Sequence, residues 1–370
     1  MNILINATNI KKGGGIQVTD SICRELHLFP QHQFTVVLSN SLRGTGDAIE
    51  RDSNVSVYYY DIVGSARKLL LGRDKYLDDL EDKHGIEAVL TIFGPSLWKP
   101  KCEHLCGFAR AQMVIKESPF YTRMNKRTLF LQRLRYGIRE KAFKKCADYF
   151  YTENPYISER LEKQWRDKKV FTVTNYYNQV FDHPEQWKDK KLSDFDGITL
   201  LTIATPYAHK NLVIAADVAR ILRQQYPYFC FRFVMSNKPD EFPADISGIE
   251  DCFEFIGRVD ISECPSLYQQ CDIVFQPTLL ECFTAAYPEA MRMERPIVTT
   301  DLVFAKGLCG EAAEYYSAID PQACADAIFR VATNKDLRKC LVKKGKDQLK
   351  VFDNYELRAE KLIKIIESLV

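Results

Sequence analysis

The chain alternates between two kinds of segment. Short apolar runs at 2–7 ("NILINA"), 33–39, 54–60, 88–93, 104–109, 149–153 and 169–175 read as strands. Longer amphipathic stretches at 16–28, 74–84, about 124–146 and 155–165 read as helices. Continuous apolar strands separated by helices demand a parallel sheet covered on both faces. The polar stretch 176–197 interrupts the pattern, carries a proline and ends in Asp-Gly, so it reads as a linker. The alternation then restarts, with strands expected at 198–204, 229–236, 252–257, 272–278 and 296–301. Helices are expected at 211–226, 262–271, 284–293, 321–334 and over 336–370, with a break near "VFDNYE". The fold class that follows is α/β, with two doubly wound, Rossmann-like domains. Such domains bind ligands at the carboxyl ends of their strands, and a central cleft is expected.

Length and composition agree. A chain of 370 residues is too long for one ordinary core, and 46% hydrophobic with 27% charged is ordinary for a globular protein. The net charge of +2 leaves only local patches to speak about partners. Its 12 cysteines include no CxxC pair, which reads as reduced thiols and a cytoplasmic setting. Cys102, His104 and Cys106 line one face of an expected strand, and their spacing is unlike that of a metal site. The apolar run at the N-terminus is too short for a signal peptide, and no segment approaches a membrane span.

Three stretches could carry chemistry. Gly13 to Gly15 follow the first strand and precede a helix, where backbone can approach an anion closely. This is not GxGxxG, so a dinucleotide-dependent dehydrogenase is a distant reading; a plain strand-to-helix turn is the simpler one. His209, Lys210 and Asn211 stand just after the first strand of the second half, where a lysine can reach a phosphate as a point charge. The alternative is a solvated lysine beside an ordinary loop histidine. In "ECFTAAYPEA", Glu281 and Glu289 lie eight residues apart. Pro288 suits a first helical turn, which puts Glu281 in the loop and Glu289 in the helix. The N–H groups of Phe283, Thr284 and Ala285 would then be free. A carboxylate accepts two hydroxyl hydrogen bonds, which suits a sugar diol. The competing reading is one surface acid and one helix-start acid.

The segment "FQPTLLECFTAAYPEAMRMERPIVTTD" resembles the signature of the retaining glycosyltransferases of family 4, which have the GT-B fold. "FIGRVD…LYQQCDIVFQPT" before it and "GLCGEAAEYYSAIDPQACADAI" after it match in order and spacing. The resemblance is dense over 198–330 and loose over 40–145. It implies an acceptor-binding domain at 1–180, a linker at 181–197, a nucleotide-sugar domain at 198–345 and a helix at 346–370 returning toward the first domain. It implies that Glu281 contacts the donor sugar, Glu289 the ribose and Lys210 the diphosphate. Phe283, Thr284 and Ala285 would support sugar or phosphate. His209 and Thr205 would lie beside the donor, Arg258 and Val259 would line the base, and the loop with Gly14 and Gly15 would close over it. The family's pattern has an arginine five residues before the lysine, and here that residue is Thr205, so the diphosphate lacks one cation. Cys282 and Thr284 stand where glycines are usual, which narrows the loop's backbone freedom.

The expected activity is retaining transfer of a sugar from a nucleotide-diphosphate donor to a hydroxyl of a glycan or lipid-linked glycan, in cell-surface polysaccharide synthesis. The resemblance implies front-face attack, with the leaving diphosphate helping to take the acceptor's proton. No cofactor and no metal are expected. Asp194 to Asp196 resemble a DxD metal motif, but Asp196-Gly197 reads more simply as a turn. Rival readings are a nucleotide-sugar epimerase or hydrolase on the same fold, and a non-catalytic sugar-nucleotide-binding protein. The stretch 123–146 has nine Lys/Arg against Glu140, interleaved with apolar residues. It reads as a core-facing helix with a solvated basic face, or as a surface for anionic membrane at the inner face of the plasma membrane. Nucleic acid is not expected, since no recognition motif accompanies the charge.

Overall fold

A computed structural model of the chain describes residues 1–64, 68 and 71–370. It divides into two compact units. The first comprises Met1–Lys116, Asn125–Asn178 and Asp353–Val370; the second comprises Glu117–Met124 and Gln179–Phe352.

The first unit is built on a seven-stranded sheet. Its strands are β1 (Asn2–Ala7), β2 (Gln33–Leu38), β3 (Val55–Tyr59), β4 (Ala88–Thr91), β5 (Glu103–Gly107), β6 (Tyr149–Thr152) and β7 (Lys169–Thr172). They lie in the order β3-β2-β1-β4-β5-β6-β7, and every pairing is parallel. The central strands are mostly apolar because helices cover both faces; β1 and β4 are buried almost end to end, whereas the edge strands β3 and β7 are only partly so. The C-terminal helix Tyr355–Glu367 belongs to this unit and places Ala359, Leu362, Ile363 and Ile366 in its core. Each of the larger three contributes about 1.5–3 kcal/mol on burial. Arg358 anchors the same helix by donating to Ser21 Oγ at 2.6 Å and to Asn175 Oδ1.

The second unit has six parallel strands: β8 (Ile198–Thr202), β9 (Phe231–Met235), β10 (Phe253–Phe255), β11 (Ile273–Gln276), β12 (Ile297–Thr300) and β13 (Ala313–Tyr316). Their order is β10-β9-β8-β11-β12-β13, so the winding reverses between β8 and β11. The helices Ile214–Gln225 and Pro321–Thr333 supply Val218, Leu222, Ile328 and Val331 to its core. The polar stretch before β8 runs along this unit. Lys188 N–H donates to Ser262 O at 2.8 Å, Leu192 N–H to Gln270 Oε1 at 3.0 Å and Ser193 N–H to Glu254 Oε1 at 3.0 Å.

Local differences from the sequence reading have physical causes. β13 was not expected: "AEYY" is four residues long, with a glutamate inside it. The final helical region is broken, as "VFDNYE" suggested. One helix runs Lys335–Leu349, and Asn354 starts the next by accepting from Leu357 N–H at 2.8 Å. The basic stretch 123–146 is also divided. Arg123 ends a 3-10 turn, Pro119–Arg123, in the second unit, and the helix proper begins at Lys126 in the first. The reading as a core-facing helix with a solvated basic face holds only at its C-terminal end: of Lys126–Cys146 only Ala142, Phe143 and Cys146 are buried, and Phe130, Leu131, Leu134 and Ile138 are exposed.

Candidate functional site

The site is best built from the switch in strand order of the second sheet. Loops leaving the carboxyl ends of the two strands at such a switch diverge to opposite faces and leave a crevice. The loop after β8 carries Thr205, His209 and Lys210. The loop after β11 carries Glu281 and leads into the helix Ala286–Arg292 with Glu289 in its first turn. Pro288 is the third residue of that helix, where its missing N–H costs nothing.

Lys210 and Glu281 meet. Lys210 Nζ lies 2.5 Å from Glu281 Oε1, with side-chain exposures of 16% and 10%. Thr278 Oγ1 donates to the same Oε1 at 2.8 Å. The loops are stitched by backbone as well: His209 O accepts from Leu279 N–H at 2.8 Å, and Thr278 Oγ1, whose proton goes to Glu281, lies 3.2 Å from it. The His209 ring stacks on Tyr207 with centroids 5.7 Å apart and meets the Phe120 ring edge-on at 6.2 Å. Burial lowers its pKa; Glu281 opposes that and Lys210 adds to it, so His209 is neutral near pH 7.

Glu289 occupies a different corner. It is 8% exposed, and its Oε2 accepts from the Tyr268 hydroxyl at 2.8 Å. Burial pushes its carboxyl up to about 7, against the pull of the Tyr268 hydrogen bond. The two glutamates are held differently: one by a cation and a hydroxyl, the other by a phenol.

The remaining candidates are placed as follows. Among the described residues, the N–H groups of Phe283, Thr284 and Ala285 donate to no protein acceptor. The Phe283 ring packs edge-on against Phe352 at 5.8 Å. Thr205 is exposed and its carbonyl accepts from Tyr207 N–H at 2.7 Å. Arg258 and Val259 follow the edge strand β10, and the Arg258 carbonyl accepts from Lys190 Nζ at 3.3 Å. Gly14 and Gly15 lie in the first unit, at the start of the helix Gly14–Cys23. Gly13 before them has φ 72°, and a Cβ on Gly15 would come within 3.3 Å of Ile10. They too sit at a switch point, between β1 and β4, where Asn9 Nδ2 donates to Phe93 O at 2.7 Å.

Two stretches considered for metal have other occupations. His104 exchanges hydrogen bonds with Thr91 Oγ1 at 2.8 Å and Cys146 O at 2.7 Å, and burial lowers its pKa to about 4. Asp194 and Asp196 are exposed, and the ring of Phe195 between them lies 4.8 Å from the Arg232 guanidinium carbon. Among the described residues, no group of three or more His, Cys, Asp or Glu is placed to hold a metal ion.

Four residues entered the site unforeseen. Thr278 and Tyr268 orient the two glutamates, and both stand in segments that the family resemblance had already covered. Ser118 and Phe120 come from far upstream; Ser118 Oγ donates to Leu279 O at 2.6 Å. A Ser-Pro pair opening a short turn was their only sequence signal.

Comparison with known proteins follows the same lines. No curated protein matches the sequence. Sucrose-phosphate synthase from Thermosynechococcus elongatus superposes with a TM-score of 0.70 at 14% identity, covering 100% of this chain and 98% of that one. Anabaena HepE in complex with UDP and glucose gives 0.67 at 12% identity, covering 100% of both chains. WaaG, a glycosyltransferase involved in lipopolysaccharide biosynthesis, gives 0.65 at 14% identity and 99% of both. At such identities the likeness establishes the fold, which is that of the GT-B glycosyltransferase structures. Within it, residues 197–334, the part of the second unit that holds Lys210, Glu281 and Glu289, match the family model described as Glycosyl transferases group 1.

Proposed function

We propose that this chain is a retaining glycosyltransferase that takes a nucleotide-diphosphate sugar and passes the sugar to a hydroxyl of a glycan or lipid-linked glycan. The observation that carries the reading is the Lys210–Glu281 pair at the switch of the second sheet, inside the segment that matches the group 1 family model. Before ligand arrives, each charge neutralises the other. A diphosphate is a stronger partner for Lys210 than one carboxylate, because it offers more charge and more acceptor oxygens. Its arrival would release Glu281 Oε1 to accept from a sugar hydroxyl, while Thr278 keeps that carboxylate in place. Glu289, ionised above about pH 7, would accept the two hydroxyls of a ribose. The bound UDP and glucose of the HepE structure make such a ligand compatible with this fold.

In the reaction, the acceptor oxygen bonds to the anomeric carbon on the face that the diphosphate leaves. The anomeric carbon–oxygen bond breaks with its electron pair going to the phosphate oxygen, and that oxygen takes the acceptor's proton. The chain's contribution is to hold the donor and offset the developing charge through Lys210. We propose that no metal is needed, since a lysine already stands where the charge develops.

The helix Lys126–Cys146 supports a membrane-linked acceptor and peripheral placement at a cytoplasmic membrane face. Phe130, Leu131, Leu134 and Ile138 are exposed, Phe130 by 68%, among eight Lys/Arg of the helix. No described helix is long and apolar enough to cross a membrane. Basic residues near an anionic surface contribute about 1 kcal/mol each, and the apolar side chains can enter the headgroup region. The expected result is sedimentation with anionic vesicles at low salt, lost on Phe130→Ser with Leu134→Ser; no sedimentation of the native protein would remove the membrane from this reading.

The activity itself is tested by incubating the protein with UDP-, GDP-, ADP- and dTDP-sugars, with and without glycan acceptors and with and without EDTA. Transfer dependent on acceptor, resistant to EDTA and retaining the donor's anomeric configuration is the predicted outcome. Donor turnover at the same rate without acceptor would replace it with an epimerase or hydrolase.

A further inference from the structure

Lys210 is already neutralised by Glu281, so the loop pair after β8 and β11 has no spare positive charge of its own. Thr205, where the sequence resemblance reserves a cation, is a hydroxyl. A dianionic group arriving here would face one shared lysine. Yet a second cation holds the next residue, Asn211, and it comes from elsewhere in the chain.

That cation is Arg123. The segment Glu117–Met124 belongs to the second unit although the chain on both sides of it belongs to the first. Ser118 starts its 3-10 turn by accepting from Phe120 N–H at 3.2 Å, and the same hydroxyl donates to Leu279 O. Phe120 is buried against the His209 ring. These contacts deliver Arg123 to Asn211, the residue after Lys210, and Arg123 NH1 donates to Asn211 Oδ1. Asn211 has a left-handed backbone, φ 54°, and is 1% exposed. Its Nδ2, fixed in direction by the arginine on Oδ1, is buried without an acceptor among the described residues. A buried orphan donor costs stability and is a common mark of a place where a ligand group belongs. Arg123 itself is exposed and, among the described residues, has no carboxylate within ion-pair distance. The elements that favour an anion are a guanidinium with no carboxylate partner among the described residues, an unsatisfied amide donor on the residue it holds, and a lysine next to that residue in the chain. A guanidinium can also take two phosphate oxygens at once, which an ammonium cannot.

We infer that Arg123, delivered by Glu117–Met124, is the second cation of the diphosphate-binding corner beside Lys210. The assignment rests on the nucleotide-sugar reading given above. It also gives the segment a role: an anion held by Arg123 and Lys210 together fixes Glu117–Met124 against the loops after β8 and β11.

The test is calorimetry on the full chain with UDP, GDP, ADP and dTDP, with each matching nucleoside and with inorganic pyrophosphate. The proteins compared are the native chain, Arg123→Gln, Arg123→Lys and Lys210→Ala. Loss of one charge-assisted contact predicts diphosphate binding weaker by about 10- to 100-fold in Arg123→Gln, with nucleoside binding unchanged within about twofold. Arg123→Lys should fall between, because it keeps the charge and loses the fork. Both ligands are read on one sample, so the ratio of their affinities does not depend on the fraction folded. A native ratio in both Arg123 variants, with diphosphate binding still lost in Lys210→Ala, overturns the role of Arg123 and leaves the nucleotide-sugar reading standing. Failure of the native chain to bind any of the diphosphates or pyrophosphate, or no effect of Lys210→Ala, overturns that reading and this inference with it.

Discussion

The two glutamates of the second unit have opposite electrostatic surroundings. Glu281 is gripped by Lys210 and Thr278, so its charge is satisfied before any ligand arrives. Among the described residues Glu289 is met by no cation, only by the Tyr268 hydroxyl, and burial holds its carboxyl up to about 7. The first arrangement can exchange partners and the second can change protonation. Eight residues of sequence therefore separate a carboxylate held in an ion pair from one that burial leaves poised to titrate near pH 7. The lesson is that matching acids in a motif need not do matching work; their neighbours decide.

The strongest way to break this comparison is to remove its two poles. Lys210→Ala and Glu289→Ala should each lower kcat/KM for the donor by about 10²–10³, the usual loss for a positioned electrostatic contact. Near-normal turnover in both, with native melting curves, would dismiss the assigned roles. A sharper separation comes from pH. With a folded-state value of about 7, Glu289 is mostly protonated at pH 6 and ionised at pH 8. Donor KM in the native chain should therefore rise about tenfold per unit as pH falls below 7, and this dependence should vanish in Glu289→Gln. The same KM profile in both proteins would assign the titration to another group.

Smaller effects test how each acid is held. Thr278→Val removes one hydrogen bond to Glu281 without changing shape and should cost about tenfold in kcat/KM. An unchanged rate would mean that Lys210 alone positions the carboxylate. For stability the sign is set by Glu289's raised value. Its contribution is full below the ordinary value of 4.5 and is lost as pH rises through about 7, because the ion must then be buried. Glu289→Gln should accordingly melt a few degrees higher than the native chain at pH 8, with a smaller difference at pH 5. A lower melting temperature for the variant at pH 8 would show that the ion is not a burden to the fold.

Much of the fold was legible because parallel strands buried on both faces have to be apolar throughout. The central strands of the first unit stand out in the sequence largely for that reason. β13 did not, since "AEYY" is short and half-polar, and its strand identity comes from pairing with β12. The candidate site was legible only residue by residue. Lys210, Glu281 and Glu289 lie in recognisable motifs, but that Lys210 and Glu281 touch follows from β8 and β11 being neighbours at the switch, which no local pattern encodes. Arg123 was misplaced for a related reason. In sequence it heads a run of basic residues, and nothing local says that Glu117–Met124 packs with another unit. Long-range packing, rather than propensity, decides such cases.

Whether Lys210 and Glu289 hold a nucleotide sugar is decided by thermal stabilisation of the purified protein by UDP-, GDP-, ADP- and dTDP-sugars, with and without magnesium, beside Glu289→Ala and Lys210→Ala. Stabilisation by one nucleotide class, equal with and without magnesium and lost in both variants, is expected. Stabilisation that persists undiminished in both variants, or no stabilisation of the native chain by any donor at millimolar concentration, would contradict it.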